Sequence, residues 1–196
     1  MWSVQERSKG GVWIGTQEDL FLHDDIGLHR FPHGSNANQA ALALADDGSH
    51  LWVGRHEGLE QFSGGKFVAH DLPGRPLHDS VVTLFKDREG SVWAGTILGS
   101  GLYRLLNGKI ARVDTGSGLS CARVRAIHPA RRGGLWFGTR GSALSLYQHG
   151  EFTRIGKDAL PDSVTALHED NDGILWIGTN RGSQPARGGH RHELRP

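Results

Sequence analysis

The chain has 196 residues, enough for one domain with a substantial core, and it contains 29 glycines against 7 prolines. Its 22 basic and 21 acidic residues nearly cancel, which excludes the strongly basic surface typical of a nucleic-acid-binding protein. The single cysteine excludes an internal disulfide, and no apolar run in the sequence approaches the length of a membrane span. So much glycine without a collagen period favours an all-β protein with many tight turns.

Tryptophan recurs in one local context along the chain, and glycine stands two positions after each copy. The five pairs are Trp13 with Gly15, Trp52 with Gly54, Trp93 with Gly95, Trp136 with Gly138, and Trp176 with Gly178. The tryptophans are 39, 41, 43 and 40 residues apart, so the chain is an array of units of about 40 residues. Self-similarity at such a period is typical of solenoids and β-propellers.

Each unit predicts four short strands. An apolar first strand leads through a glycine-containing turn into the strand that carries the tryptophan, and a third apolar strand follows. A tight turn such as Asn107-Gly108 then leads into the fourth strand, and Asn-Gly between apolar runs is a strong hairpin signal because both residues need a positive φ. The alanine-rich residues 39–45 favour helix in isolation, but their place in the unit predicts a first strand. Four short strands in such a unit are the footprint of a propeller blade.

The units divide the chain into blades at about residues 1–36, 37–78, 79–119 and 120–161, with a partial blade at 162–182. Residues 183–196 form a basic tail that we expect to be disordered. The predicted fold is therefore an all-β propeller of about four and a half four-stranded blades. Because propellers usually close with four to eight blades, we expect an incomplete ring whose exposed ends could pair with missing blades or a second propeller copy.

The tryptophan strands read as continuous apolar runs, which is typical of strands that are covered on both faces. We therefore expect the five tryptophans to pack in the core between neighbouring blades. The glycine that follows each of them is expected where two backbones come too close for a side chain.

Residues 90–96 (GSVWAGT) with Gly-Leu-Tyr at 101–103, and residues 173–179 (GILWIGT), resemble the two-component regulator propeller repeat. The resemblance extends over residues 1 to about 182. Two departures stand out: Arg55 replaces the usual Thr in the second unit, and residues 143–145 (ALS) replace Gly-Leu-Tyr in the fourth.

The resemblance implies a role for a parent protein. Such repeats look like seven-bladed propellers, often in tandem, in the periplasmic sensor of membrane-bound regulators whose output is a histidine kinase, a hybrid kinase or a diguanylate cyclase. Their ligands are often glycans or glycan breakdown products. The first residues of this chain lack the apolar core of a secretory signal. We therefore expect the chain as written to stay in the cytoplasm, whereas its parent would be periplasmic.

No phosphate-binding loop, nucleophile elbow or metal-ligand spacing outside the tail is found in the sequence, so no cofactor and no metal are expected. In a blade of this topology, the loops between second and third strands share a face with the loops between blades. Loops on a rigid scaffold are where binding residues concentrate. The candidates for a polar rim that binds a sugar or a carboxylate are Arg55, His56, Arg140, Asn180 and Arg181.

Three functions remain open at this point. The leading prediction is a non-catalytic sensor that binds a glycan or other small ligand, without nucleic acid. A scaffold for protein partners is the first alternative. A propeller lyase or glycosidase is the second, and it would need inward carboxylates or a cluster of His, Arg and Glu on one face.

Overall fold

The computed structural model describes residues 3–33, 40–74, 79–113, 115–141, 143–155, 163–180 and 182–185. Within these ranges, nineteen strands form five sheets in which neighbouring strands run antiparallel, and the only helical segment is one turn of 3-10 helix at Thr115–Ser117. The chain consists of two compact units, residues 1–112 and 113–196. The all-β prediction is confirmed.

The first unit contains three four-stranded sheets, each with its strands in chain order. Blade 1 consists of β1 (Ser3–Glu6), β2 (Val12–Gly15), β3 (Asp19–Asp24) and β4 (Gly27–Pro32). Blade 2 consists of β5 (Ala43–Asp46), β6 (Leu51–Arg55), β7 (Gly58–Ser63) and β8 (Lys66–His70). Blade 3 consists of β9 (Val81–Lys86), β10 (Val92–Thr96), β11 (Leu102–Leu106) and β12 (Lys109–Val113).

The second unit contains one four-stranded and one three-stranded sheet. Blade 4 consists of β13 (Val124–Pro129), β14 (Leu135–Thr139), β15 (Ala143–Gln148) and β16 (Glu151–Ile155). Blade 5 consists of β17 (Val164–Glu169), β18 (Leu175–Thr179) and β19 (Gly182–Pro185). This strand inventory matches the predicted four and a half propeller blades.

Burial follows the position of a strand within its blade. All five residues are buried in each of β6, β10 and β14, the second strands of blades 2 to 4. Residues of the fourth strands β8, β12 and β16 are either exposed or half-buried, with the half-buried ones at the second and fifth positions. Inner strands that are covered on both faces are therefore continuously apolar, whereas outer strands need apolar residues on one face only.

Apolar clusters lie between neighbouring blades. In the first unit, Trp13 packs with residues of blade 2 such as Leu44 and Phe62, and Trp52 packs with residues of blade 3 such as Val81. In the second unit, Trp136 packs with Val164 and other residues of blade 5. Burial of this kind is the main favourable contribution to folding.

The glycine two residues after each of three tryptophans lies against the start of the first strand of the next blade or against the residues just before it. A Cβ on Gly54 would lie 2.6 Å from the carbonyl oxygen of Val81, and a Cβ on Gly15 would lie 2.8 Å from that of Ala41. A Cβ on Gly138 would overlap the side chain of Val164. Any larger residue would push the two blades apart, which is the reason for glycine at these positions.

Two-residue turns join third to fourth strands. Asn107 and Gly108 have φ values of 51° and 73°, and His149 and Gly150 have φ values of 50° and 88°. Both residues of each turn are thus left-handed, as a tight hairpin requires, and the hairpin prediction from Asn107-Gly108 is confirmed.

Two strand boundaries differ from the prediction. The first strand of blade 2 starts at Ala43, because the N–H groups of Ala41 and Leu42 donate to the carbonyl oxygens of Thr16 and Gly54 in loop contacts. At the other end, β19 continues to Pro185, past the expected start of the tail at 183, because its backbone pairs with β18. Residues 186–196 lie outside the described part of the chain.

Candidate functional site

The predicted rim residues lie at the turns between second and third strands. Arg55 ends β6 and His56 follows it in the first unit. Arg140 follows β14 and Asn180 follows β18 in the second unit. Arg181 lies outside the described residues. His56, Arg140 and Asn180 therefore occupy equivalent positions in blades 2, 4 and 5, each four residues after the tryptophan, and Arg55 lies one position earlier.

Arg55 points into blade 2, and only 3% of its side chain is exposed. Its Nε donates to Glu60 Oε2 at 2.5 Å, and its guanidinium carbon lies 5.0 Å from the ring centroid of Phe67. Burial lowers the pKa of the guanidinium, and attraction to Glu60 opposes that effect. An arginine keeps its proton in proteins, so Arg55 is a buried cation that stabilises the turn from within.

Glu60 is the centre of a cluster of His, Arg and Glu in the first unit. Its Oε2 lies 2.8 Å from His33 Nε2 and also accepts from Arg55. The ring of Phe67 packs edge-on to His33 with 4.5 Å between centroids. This is the combination of residue types that the lyase alternative requires, although the buried guanidinium cannot contact a substrate. The sequence signal for this cluster was Glu60, a charged residue between the apolar residues of the third strand of blade 2.

Arg55 replaces a threonine that closes the same turn in other blades. Thr96 Oγ1 donates to the carbonyl oxygen of Gly101 at 2.9 Å, and Thr16 Oγ1 donates to that of Asp19 at 2.8 Å. In blade 2, the ion pair between Arg55 and Glu60 of β7 takes the place of this threonine hydrogen bond.

The turn between β10 and β11 is held by Asp79, a fully buried carboxylate that the sequence analysis missed. It accepts from the N–H groups of Leu98 at 2.8 Å and Ser100 at 2.9 Å, and from the hydroxyl of Ser100. Burial alone would raise the pKa of Asp79, but these hydrogen bonds outweigh it and hold the pKa below its usual value. Asp-Ser before an apolar first strand, at 79–80 and again at 162–163, is the signal that could have identified it.

His56, Arg140 and Asn180 are exposed. His56 Nδ1 lies 3.2 Å from the hydroxyl of Ser80, which precedes β9. The backbone N–H of Arg140 donates to the carbonyl oxygen of Arg123 at 2.9 Å. The first contact engages the His56 side chain, and the second fixes the backbone of the turn at Arg140. Exposed polar side chains on such turns suit contact with a ligand.

A cavity of about 320 Å³ lies between blades 1 and 2, at the end of the sheets opposite to the predicted rim. It is lined by apolar and polar side chains. The apolar ones include Trp13, Leu22, Phe31 and Phe62, and the polar ones include Arg7, Lys9, Asp46 and His50. The carboxylate of Asp46 accepts hydrogen bonds from the hydroxyl of Ser8, the indole of Trp13 and the backbone N–H of Gly48. The volume is at the lower end of the range for small-molecule sites.

The second unit holds a histidine pair between blades 4 and 5. The rings of His128 and His168 lie 5.5 Å apart, and His128 Nε2 accepts the backbone N–H of Glu169 at 3.0 Å. Burial, and then the neighbouring His168, lower the pKa of His128, while Glu169 acts in the opposite direction. The neutral imidazole is therefore part of the packing between these blades.

In the described ranges, no three His, Cys, Asp or Glu residues are grouped closely enough to hold a metal ion. None of the described segments is a helix with the length and apolar character needed to cross a membrane.

The family model described as "Two component regulator propeller" matches residues 118–141 and 159–181. Both segments contain the first and second strands of a blade, in blade 4 and blade 5 respectively. No curated protein sequence matches the chain significantly.

Several solved structures share the fold. A catalytically inactive virginiamycin B lyase from Staphylococcus aureus with quinupristin is 15% identical, with a TM-score of 0.72 over 93% of this chain and 68% of the lyase. A streptogramin B lyase is 16% identical, with a TM-score of 0.73 over 93% of this chain and 63% of that one. The extracellular domain described as that of the hybrid two component system BT4673 from B. thetaiotaomicron is 20% identical, with a TM-score of 0.64.

The last likeness covers 100% of this chain but 32% of the two-component domain, so the chain spans about a third of that relative. Identities this low establish a common fold and nothing about activity. The repeat match and the blade architecture agree with the resemblance found in the tryptophan motifs. Residues 118–141 and 159–181 therefore carry two-component regulator propeller repeats.

Proposed function

We propose that the chain is a non-catalytic, ligand-sensing propeller module of a bacterial two-component or cyclic-di-GMP signalling protein. Its ligand would be a glycan or another small extracellular molecule, and its parent protein would be periplasmic. The observation that carries the proposal is the match to two-component regulator propeller repeats at 118–141 and 159–181. The likeness to an extracellular domain of a two-component system over the whole chain supports it.

The ligand would contact the turns between second and third strands. His56, Arg140 and Asn180 present exposed polar side chains, and the backbone of the turn at Arg140 is held by a hydrogen bond to Arg123. Arg181, the remaining predicted candidate, follows Asn180 directly in the sequence, and Arg55 lies inside blade 2 beneath the turn that carries His56. Donors of this kind suit the hydroxyl and carboxylate groups of acidic or neutral sugars.

The test is a thermal-shift and calorimetric screen of the chain against a panel of oligosaccharides. A bound sugar should raise the melting temperature, because a ligand that binds only the folded state stabilises it by mass action. Arg140→Ala should weaken binding to the second unit, and His56→Ala should weaken binding to the first unit, each about tenfold through the loss of a hydrogen bond to the ligand. Arg88→Ala is the matched control, since this exposed arginine lies in the β9–β10 turn at the other end of its sheet.

Three outcomes would decide the question. Binding that is lost in the rim variants and kept in Arg88→Ala supports the sensor. Binding that is lost in Lys9→Ala alone moves the site to the cavity between blades 1 and 2. Absence of binding throughout the panel, with capture of a protein partner instead, contradicts the sensor in favour of a scaffold.

A propeller lyase or glycosidase is the second candidate, because His33, Glu60 and Arg55 lie together. An imidazole beside a carboxylate can act as a general base. If the chain were such an enzyme, His33→Asn would abolish turnover of a glycan or lactone panel. His29→Asn is the control, because His29 also pairs with a carboxylate, Asp24, at 3.1 Å. We expect no turnover in the wild type, and any turnover sensitive to His33→Asn would contradict the non-catalytic proposal.

A further inference from the structure

Each repeat tryptophan donates its indole N–H to a carboxylate, and the accepting carboxylates fall into two classes. In blades 2, 3 and 5 the acceptor is the aspartate that directly follows the first strand of the same blade. These pairs are Trp52 with Asp47 at 2.8 Å, Trp93 with Asp87 at 2.8 Å, and Trp176 with Asp170 at 2.7 Å. We call this residue the turn aspartate.

Blades 1 and 4 have no turn aspartate, since Arg7 and Ala130 stand at that position. Their indoles bond instead to the last residue of the first strand of the next blade. These pairs are Trp13 with Asp46 at 3.2 Å and Trp136 with Glu169 at 3.0 Å. The carboxylate thus comes from the neighbouring blade when the blade itself lacks one.

Between blades 2 and 3, where a turn aspartate is present, the next blade supplies a basic residue instead of a carboxylate. Blade 2 has Asp47, and the first strand of blade 3 ends in Lys86, whose Nζ donates to the carbonyl oxygen of Asp47 at 3.0 Å. The register is the same in every case, because Asp46, Lys86 and Glu169 all pair with the residue before a tryptophan. One indole N–H donates to one carboxylate, and a second carboxylate at this place would be repelled by the negative charge of the first.

The outer face of blade 5 has no such neighbour within the described residues. Trp176 is 41% exposed and Ile174 is 43% exposed, whereas Trp136 in the same unit is 5% exposed beneath β17. Asp170 already accepts the indole of Trp176. By analogy with Lys86 beside Asp47, this face suits a first strand that ends in a basic residue.

The outer face of β1 has the opposite preference. Val4 pairs with the residue after a tryptophan, as Leu84 and Leu167 do, but it is 54% exposed instead of packed against another blade. Glu6 is the last residue of β1 and is also exposed. It therefore matches Asp46 and Glu169, which accept the indole of a blade without a turn aspartate.

We propose that the exposed face of β18 is a docking surface for the first strand of a further propeller blade that ends in lysine or arginine, and that it rejects β1 of this same sequence. Docking of β1 on β18 would cover Trp176 and Val4, but it would place Glu6 beside Asp170. Like charges at the centre of an interface oppose association and select against wrong partners.

The experiment converts β1 into the preferred partner with Glu6→Lys and measures self-association by sedimentation over a range of concentrations. We expect self-association at least about tenfold tighter than in the wild type, since a repulsive contact becomes attractive. Hydroxyl-radical labelling of Trp176 should fall in parallel, whether β1 comes from the same or another copy. Glu151→Lys is the control, because it makes the same charge change on the exposed face of β16.

The association of the Glu6→Lys protein should disappear when Ile174→Arg is added, because that side chain lies beside the docking surface and is exposed in the monomer. Circular dichroism checks that each variant keeps its strands. The proposal is overturned if Glu6→Lys behaves like the wild type or like Glu151→Lys. It is also overturned if the wild type already associates and Ile174→Arg dissolves that assembly.

Discussion

Trp52 in the first unit and Trp136 in the second occupy the same place in their blades, and they are 9% and 5% exposed. Trp52 donates to Asp47 of its own blade, whereas Trp136 donates to Glu169 of the next blade. At Trp52 the hydrogen bond therefore stabilises a turn inside blade 2. At Trp136 the hydrogen bond joins blade 4 to blade 5, as the hydrogen bond from Trp13 to Asp46 joins blades 1 and 2. The same indole–carboxylate hydrogen bond can thus stabilise either a single blade or the contact between two neighbouring blades, depending on which residue supplies the carboxylate.

The largest expected effect distinguishes covered from uncovered tryptophans. Trp136→Ala should lower the free energy of unfolding by about 3–5 kcal/mol, because it leaves a cavity and removes the bond to the next blade. Trp176→Ala should cost only about 1–2 kcal/mol, because 41% of this side chain is already exposed. Urea unfolding followed by circular dichroism measures both. Equal costs would mean that burial between blades does not set the value of the repeat tryptophan.

The second prediction tests whether the two acceptor classes can be exchanged at Trp52. Asp47→Ala and Lys86→Glu should each lower the free energy of unfolding by about 1 kcal/mol, the first by removing the indole acceptor and the second by placing a carboxylate beside Asp47. The double variant should cost about 0.5–1 kcal/mol less than the sum of the two, because the new carboxylate can accept the indole of Trp52.

The control for this cycle is Lys86→Gln, which removes the charge without supplying a carboxylate. Its combination with Asp47→Ala should be additive within about 0.5 kcal/mol. Additivity in the Lys86→Glu cycle as well would contradict the rule of one carboxylate for each indole.

The smallest effect concerns pH and the interface between blades 4 and 5. Because the pKa of His128 is lowered in the folded chain, the unfolded chain takes up a proton at about pH 6.5 while the folded chain does so only at lower pH. The contribution of the neutral imidazole is therefore fully present above about pH 6.5, and stability falls as the pH drops below that value.

Replacing His128 with Phe, the residue at the equivalent position 85 of blade 3, should flatten this part of the pH profile. The measurement is the melting temperature between about pH 7.5 and 5.5, a range in which carboxylates keep their charge. His23→Asn is the control, because it removes an exposed histidine that lies outside this interface. A profile that keeps its slope in His128→Phe would assign the acid sensitivity to other groups.

Much of the fold could be predicted because its signals are local. The run Leu51–Arg55 is apolar at three positions and contains the tryptophan and glycine, and its five residues are all buried. Asn107-Gly108 predicted a hairpin because both residues tolerate a positive φ. The first strand of blade 2 was predicted to begin too early, because a run of alanines gives no signal for where a strand starts. The hydrogen bonds of Ala41 and Leu42 to loop partners place its start at Ala43.

The candidate site was harder to predict from the sequence. Arg55 was assigned to the rim because it follows the tryptophan strand, but its side chain turns inward to Glu60. Asp79 was overlooked, because a carboxylate in a linker gives no sign of the amide groups of Leu98 and Ser100 that surround it. In both cases the partner lies in a different strand or turn, so residue type alone does not specify the direction of the side chain.

What the amino-acid sequence determined by itself is the repeat: its period, its buried second strand, and the glycine that lets the next blade approach. These properties depend on neighbours in the chain and on the alternation of strands and turns. Only the tertiary structure decided which carboxylate each indole binds, as with Trp136 and Glu169, which are 33 residues apart. The choice depends on how two separately formed sheets pack, and that packing brings together groups whose distance no local pattern encodes.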